Sequence, residues 1–243
     1  MIQIKDLKKS FEGQQIVKGI NLQINDNETL VILGPSGQGK TVFIKTMVRL
    51  FEPDSGKIIF DGINICDLKR SALNEFRKKI SFVFQNSALF DFLNVRENLS
   101  LYLIMHKSMR PYEIEPIIEK ALNFVGLGKD VLDKFPEELS GGMKKRVAIA
   151  RAFIKHPKYI FYDEPTTGLD KTNAEKVSQL INMLKNEINA TSVVVTHDIQ
   201  LMEDIADRVA LLNNGKISFI GKKEEINNEM LALLYNGGEI NEL

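Results

Sequence analysis

The sequence predicts an α/β fold with a mostly parallel core sheet, an antiparallel β subdomain and an inserted helical subdomain. The opening residues alternate between apolar and polar around a turn at Glu12 and Gly13, as antiparallel strands with one solvated face do. Residues 93–155 carry apolar side chains mostly at helical spacing. Strands buried on both faces of a parallel sheet are nearly continuous in apolar or β-branched residues, and four runs have this character: residues 30–33, 80–84, 159–162 and 192–196.

The remaining elements follow from periodicity and turn chemistry. The dipeptide Asn214-Gly215 between two apolar runs predicts a hairpin. Residues 236–243 are expected to be loose. We expect a single domain over residues 1–243, with 1–92 and 156–243 forming the core and 93–155 the helical block. Apolar residues at helical spacing predict helices over these ranges: 42–51, 95–105, 112–125, 140–154, 171–188 and 224–235.

A glycine-rich loop follows the first core strand and has the spacing G-x-x-x-x-G-K-[ST]. Glycines let the backbone approach a polyphosphate, and successive N–H groups at a helix start attract anions. The lysine would reach the β- and γ-phosphates, and the threonine hydroxyl would ligate Mg²⁺. The pattern therefore predicts that a nucleoside triphosphate binds here, at Gly34, Pro35, Ser36, Gly37, Gln38, Gly39, Lys40 and Thr41.

Two adjacent acids, Asp163 and Glu164, follow the third core strand. Open α/β sheets bind ligands at the carboxyl ends of their strands. Asp163 is therefore a candidate holder of Mg²⁺, and Glu164 is a candidate to polarise the water that attacks the γ-phosphate.

A second anion site is predicted where Ser140, Gly141 and Gly142 open a helix. Serine is a good N-cap, and the two glycines leave the N–H groups of the first turn uncovered. The basic clusters at residues 77–79 and 144–146 are expected to be solvated helix faces.

These motifs, in this order and spacing, resemble those of ATP-binding cassette (ABC) ATPases, and the resemblance covers nearly the whole chain. It implies a P-loop NTPase fold of the ABC ATPase type. It also implies a head-to-tail dimer, in which ATP and Mg²⁺ lie between one P-loop and Ser140, Gly141 and Gly142 of a second copy. Closing and opening of that dimer would drive a membrane permease.

The resemblance assigns roles to four more residues, each with a simpler alternative. Gln85 would contact Mg²⁺ and sense the permease, or be a polar strand end. His197 would contact the γ-phosphate and orient the catalytic water, or be a turn histidine. Asp170 would touch the partner chain as well as cap a helix. Phe11 would stack on adenine, or belong to the core.

Composition limits the classes of partner and the cellular location that we expect. The formal net charge is +0, which argues against a general nucleic-acid binder. Cys66 is the one cysteine, no apolar run reaches the ~20 residues of a membrane span, and the first residues do not resemble a signal peptide. We therefore expect a cytoplasmic protein that attaches to the inner membrane only through the permease.

Residues 86–98 and 164–170 resemble the Mla/Mce-type ATPases that drive phospholipid trafficking across the envelope of diderm bacteria. That resemblance implies an Mce-type substrate-binding protein in the complex. Three alternatives stay open at this point: an ABC ATPase for another cargo such as amino acids, metals or drugs, a non-transport ABC protein, and a nucleotide-binding switch without hydrolysis.

Overall fold

The computed structural model describes residues 1–107 and 109–236. Its eight α-helices are α1 (Lys40–Met47), α2 (Arg70–Arg77), α3 (Val95–Lys107), α4 (Pro111–Phe124), α5 (Gly141–Lys155), α6 (Lys171–Ile188), α7 (Ile199–Ile205) and α8 (Asn228–Asn236). Its ten strands are β1 (Ile2–Phe11), β2 (Gln14–Ile24), β3 (Thr29–Leu33), β4 (Ser55–Phe60), β5 (Ile63–Asn64), β6 (Ile80–Val83), β7 (Tyr159–Asp163), β8 (Thr191–Thr196), β9 (Arg208–Asn213) and β10 (Lys216–Lys222).

The strands form two sheets. One is antiparallel, in the order β2-β1-β4-β5. The other has the order β10-β9-β3-β8-β7-β6, and only β10 runs antiparallel to its neighbour. The predicted fold class, with its mostly parallel core sheet and separate antiparallel sheet, is confirmed.

The parallel sheet is buried on both faces, and alternate residues of each strand face opposite sides. Val31 and Leu33 of β3 join a buried cluster with the helical block and with α6 and α7. Leu30 and Ile32 join a second cluster with α1 and the antiparallel sheet. This two-sided burial explains why the core strands are continuous in apolar residues.

The helical block lies between β6 and β7 and consists of α3, α4 and α5. Its side chains share one buried cluster with a face of the parallel sheet. The division into a core (1–92 and 156–243) and a helical unit (93–155) stays a prediction.

The structure corrects several boundaries. The final helix was predicted over 224–235, but residues Lys223–Glu225 form a 3-10 turn and α8 starts at Asn228. Asn236 lies in α8 rather than in a loose tail, and the prediction for 237–243 lies outside the described residues. The helix after the glycine-rich loop ends at Met47 rather than at residue 51. The short elements β4, β5, α2 and α7 were not predicted, because each offers too few residues for a period to be recognised.

Candidate nucleotide-binding site

The glycine-rich loop joins the carboxyl end of β3 to the start of α1. A side chain at Gly34 would place its Cβ 2.4 Å from the main-chain oxygen of Leu212, and one at Gly39 would meet Ile16 at 2.8 Å. Gly37 and Gly39 also have φ values of 81° and 91°, in the left-handed region that favours glycine. The first turn of α1 has no side-chain cap, so its N–H groups are left for an anion that could bind here.

Lys40 lies under this loop with only 5% of its surface exposed. Its Nζ donates to the main-chain oxygens of Gly34 (2.7 Å) and Pro35 (2.9 Å), and pairs with Glu164 Oε1 at 3.2 Å. Gln38 faces elsewhere, because its Oε1 accepts a hydrogen bond from the N–H of Asn214 at 2.6 Å.

Thr41 and Asp163 form the oxygen pair that could hold Mg²⁺. The Thr41 hydroxyl donates to Asp163 Oδ1 at 2.7 Å. Burial raises the pKa of Asp163, and the Thr41 hydrogen bond and the charge of Lys45, 3.9 Å away, only partly offset this. Within residues 1–107 and 109–236, no three His, Cys, Asp or Glu side chains form a group that could hold a metal ion by themselves. A hydroxyl and one carboxylate fit Mg²⁺, which usually takes its other ligands from water and phosphate oxygens.

Glu164 and His197 are brought together although 33 positions separate them. His197 Nδ1 lies 2.9 Å from Glu164 Oε2, and the Thr167 hydroxyl donates to the same oxygen at 3.1 Å. Burial favours a higher pKa for Glu164, but the His197 hydrogen bond and the Lys40 charge outweigh it and lower the pKa. Glu164 also has φ of 48°, a strained value for a residue other than glycine. Glu164 is therefore a carboxylate held in a fixed position at neutral pH.

Gln85 follows β6 and completes this group. A cavity of about 460 Å³ brings eight of the seventeen predicted site residues together, and its lining consists of Ile16, Ser36, Gly37, Gly39, Lys40, Thr41, Val42, Gln85, Glu164, Thr167 and His197. The sequence had not indicated Ile16, Val42 or Thr167 as site residues. Thr167 lies three residues after Glu164, and its side chain alone gave no sign of this contact. We call Lys40, Thr41, Asp163, Glu164 and His197 the P-loop end.

Phe11 does not line this cavity. It is 41% exposed at the end of β1, packs edge-to-face on Phe51 with 5.3 Å between ring centroids, and has Lys9 Nζ 5.0 Å from its ring centroid. The exposure argues against a core role, and stacking on adenine stays a prediction.

Ser140, Gly141 and Gly142 also lie outside the cavity. The Ser140 hydroxyl caps α5 by accepting from the N–H of Met143 at 3.3 Å, as predicted for a helix cap. Asp170 caps α6 by accepting from the N–H (3.0 Å) and the side-chain amide (2.6 Å) of Asn173. We call Ser140, Gly141, Gly142 and Asp170 the signature end.

The predicted solvated basic faces are partly wrong. Lys145 is only 4% exposed, and its Nζ donates to the main-chain oxygens of Gln85 and Glu164. Arg146 donates to the main-chain oxygen of Gly126 at 2.9 Å, and Arg77 to that of Arg49 at 2.6 Å. These cations bind main-chain carbonyls of helices and loops. A run of basic residues in the sequence does not show whether each side chain faces solvent or such a carbonyl.

The chain resembles known proteins over most of its length. The family described as ABC transporter matches residues 17–167. The chain is 38% identical over 223 residues to the "Probable ribonucleotide transport ATP-binding protein mkl" of Mycobacterium leprae, covering 92% of this chain and 64% of that protein. It is 38% identical over 232 residues to the sulfate/thiosulfate import ATP-binding protein CysA of Pectobacterium atrosepticum, covering 93% and 68%. This chain thus spans less than two thirds of the mkl protein's length.

A solved structure agrees. The dimeric post-hydrolysis state of the ATP-binding cassette MJ0796, bound to ADP and Pi, matches with a TM-score of 0.84 and 34% identity. The match covers 91% of this chain and 98% of that one. Within residues 1–107 and 109–236, no helix has both the length and the apolar character to cross a bilayer. Motifs, fold and relatives agree, and the chain belongs to the ABC transporter family, with the architecture of its ATP-binding domain.

Proposed function

We propose that this chain hydrolyses ATP to ADP and phosphate and that it does so as the motor of a transporter. The observation that carries the proposal is the P-loop end, where Lys40, Glu164 and His197 converge beside the pair Thr41 and Asp163. Phosphoryl transfer to water requires three parts: a loop that accepts phosphate, an oxygen pair suited to Mg²⁺ and a buried carboxylate.

Each residue has a distinct task in this proposal. Residues 34–39 and the start of α1 bind the phosphates through main-chain N–H groups, and Lys40 exchanges its loop carbonyls for phosphate oxygens. Glu164 accepts a hydrogen bond from the attacking water and takes its proton. His197 orients Glu164 through their 2.9 Å contact. Bound Mg²⁺ would neutralise charge on the β- and γ-phosphate oxygens, with Thr41, Asp163 and Gln85 as its protein neighbours.

We propose a dimer for the working state. Ser140, Gly141 and Gly142 form a capped helix start suited to an anion, yet they lie outside the cavity of their own chain. In a head-to-tail dimer they would face the nucleotide of the second copy, with Asp170 next to that contact. The dimeric MJ0796 cassette supports this arrangement as a relative.

The test of hydrolysis is Glu164→Gln, with Glu187→Gln on the exposed face of α6 as the matched control. The variant keeps the size of the side chain and removes its basicity. We expect turnover to fall by about a hundredfold or more while ATP binding persists. The control should retain the activity of the original protein. Phosphate release at saturating ATP and equilibrium nucleotide binding are the two measurements, and undiminished turnover in Glu164→Gln would contradict the proposed base.

For cargo, we propose phospholipid or another lipid, with the chain on the cytoplasmic face of the inner membrane through a permease. The resemblance of residues 86–98 and 164–170 to Mla/Mce-type ATPases supports it, and similarity to mkl is consistent with that subfamily. The names of the relatives also offer ribonucleotide and sulfate/thiosulfate as cargo.

Transport assays separate these cargos. The chain would be co-expressed with candidate permeases and isolated as a complex in lipid vesicles. We expect an Mce-type protein to copurify and ATP to drive phospholipid transfer. ATP-driven uptake of ribonucleotide or sulfate without phospholipid transfer would overturn the lipid assignment but leave the proposed hydrolysis standing.

A further inference from the structure

One buried cation connects the two ends of this chain. Lys145 lies in α5, the helix that begins at the signature end, and its Nζ binds main-chain oxygens at Gln85 and Glu164. The bond to Glu164 is 3.3 Å long. A single side chain therefore joins the signature helix to both loops that lie around the expected γ-phosphate.

The nature of these partners makes the connection specific. Both acceptors are main-chain carbonyls. The two hydrogen bonds of Lys145 therefore depend on the backbone position of each loop and not on the side chains of that loop. Burial lowers the pKa of Lys145 to about 8, and the nearby charges of Asp163 and Glu164 work against that shift. A charged donor in a buried site binds carbonyls more strongly than a neutral one does.

We propose that Lys145 is a positioning residue that couples the two ATP sites of the dimer. The inference rests on the proposed function and adds to it a path of communication. When the γ-phosphate draws Gln85 and Glu164 to one arrangement, Lys145 transmits their displacement to α5. Because α5 is a continuous helix from Gly141 to Lys155, its amino-terminal end moves with Lys145. Ser140, Gly141 and Gly142 at that end would serve the nucleotide bound to the partner.

The experiment compares Lys145→Met, Lys145→Arg and the control Lys176→Met, in which an exposed lysine of α6 is replaced. Methionine keeps the length and apolar stem of lysine but donates no hydrogen bond. Hydrolysis is measured against ATP concentration, at protein concentrations where the rate per chain has stopped rising. Thermal unfolding and ATP binding to each variant are measured alongside.

We expect the original protein to show a Hill coefficient above 1 and Lys145→Met to bring it to about 1, with kcat reduced about tenfold. The ATP concentration at half-maximal rate should change by no more than about twofold. Lys145→Arg should recover cooperativity, because a guanidinium also donates to two carbonyls. Lys176→Met should match the original protein.

Three outcomes would overturn the coupling role: a Hill coefficient that Lys145→Met leaves unchanged, activity loss that Lys145→Arg does not recover, or an original protein that hydrolyses ATP without cooperativity. If Lys145→Met does not fold, Lys145→Gln replaces it, and its neutral amide group, which binds carbonyls more weakly than an ammonium does, should give intermediate cooperativity. Failure of the proposed function itself would look different, since the original protein would then hydrolyse no ATP at all.

Discussion

The P-loop end and the signature end are built in opposite ways. At the P-loop end, Glu164 follows β7 and contacts Lys40 of α1, Thr167 of the next loop and His197, which follows β8. At the signature end, Ser140 and Asp170 make only local bonds, each to a residue three positions ahead. The P-loop end is thus fixed by side-chain contacts between distant segments. The side-chain hydrogen bonds of the signature end are local caps, and α5 meets α6 there through the packing of Gly142 against Asn173.

This difference fits the different roles proposed for the two ends, hydrolysis at the P-loop end and contact with a partner's nucleotide at the signature end. A site that must orient water and carry a strained Glu164 needs rigid neighbours on several elements. An anion-binding helix start needs only a cap and bare N–H groups, which a chain can offer to a partner.

The largest effect should come from placing one defect at each end. Lys40→Ala and Ser140→Arg should each lose about a hundredfold or more of the ATPase rate, since each would disable both sites of the proposed homodimer. An equal mixture should recover up to about a quarter of the sites, because half of the dimers would be mixed and would each hold one intact site. ATPase rate against mixing ratio is the measurement.

The matched control for complementation mixes Lys40→Ala with Asp163→Asn, whose defects both lie at the P-loop end. No site is intact in that mixed dimer, so no recovery is expected. If the first mixture behaves like this control, the ATP site does not span two chains.

Glycine replacement should separate the ends by stability. Gly34→Ala places a Cβ against the main chain at Leu212 and should reduce the free energy of unfolding by about 2–4 kcal/mol. Gly141→Ala meets only Leu169 Cδ2, at an ordinary 3.7 Å, and should change stability by less than about 1 kcal/mol. Urea unfolding measures both. Equal losses in the two variants would contradict the view that the fold requires glycine at position 34 but not at position 141.

A smaller effect concerns charge at the P-loop end. Because burial raises the folded pKa of Asp163 above its unfolded value of 3.8, its ionised form is disfavoured by folding. Asp163→Asn should therefore raise the free energy of unfolding at pH 7 while removing most of the Mg²⁺-dependent hydrolysis. The gain should shrink as pH falls through the folded pKa and disappear below about 3.8. Urea unfolding from pH 7 to pH 3 tests the sign, and a destabilised variant at pH 7 would refute it.

The smallest effect, of opposite sign, is expected at the signature end. Hydrogen bonds from the N–H and side chain of Asn173 lower the pKa of Asp170, so its ionised form is favoured by folding. Asp170→Asn should therefore lose a little stability at neutral pH. The loss should persist above the unfolded pKa of 3.8 and fade as pH drops through the lower, folded value. The same series of urea titrations measures it, and a stabilised variant at pH 7 would show that the capping bonds do not favour the charged form.

The sequence alone predicted the parallel core sheet and most motifs of the candidate site, because each of these features depends on residues that are neighbours in the chain. Three motifs could be recognised from a few neighbouring positions each. They are the spacing of glycines before Lys40 and Thr41, the two acids at the end of β7 and the capping serine before α5. The continuous apolar core strands predicted the parallel sheet for the same reason, since burial on both faces leaves a mark on every residue.

Other properties were decided only by the tertiary structure, because they depend on distances between segments far apart in the chain. The sequence could not show that Lys145 reaches the carbonyls of Gln85 and Glu164, so its charge suggested solvent instead. Nor could it show that Leu212 is what excludes a side chain at Gly34, or that Phe11 lies outside the cavity. Local pattern predicts which residues would bind phosphate, and packing between distant segments decides which other residues hold them in place.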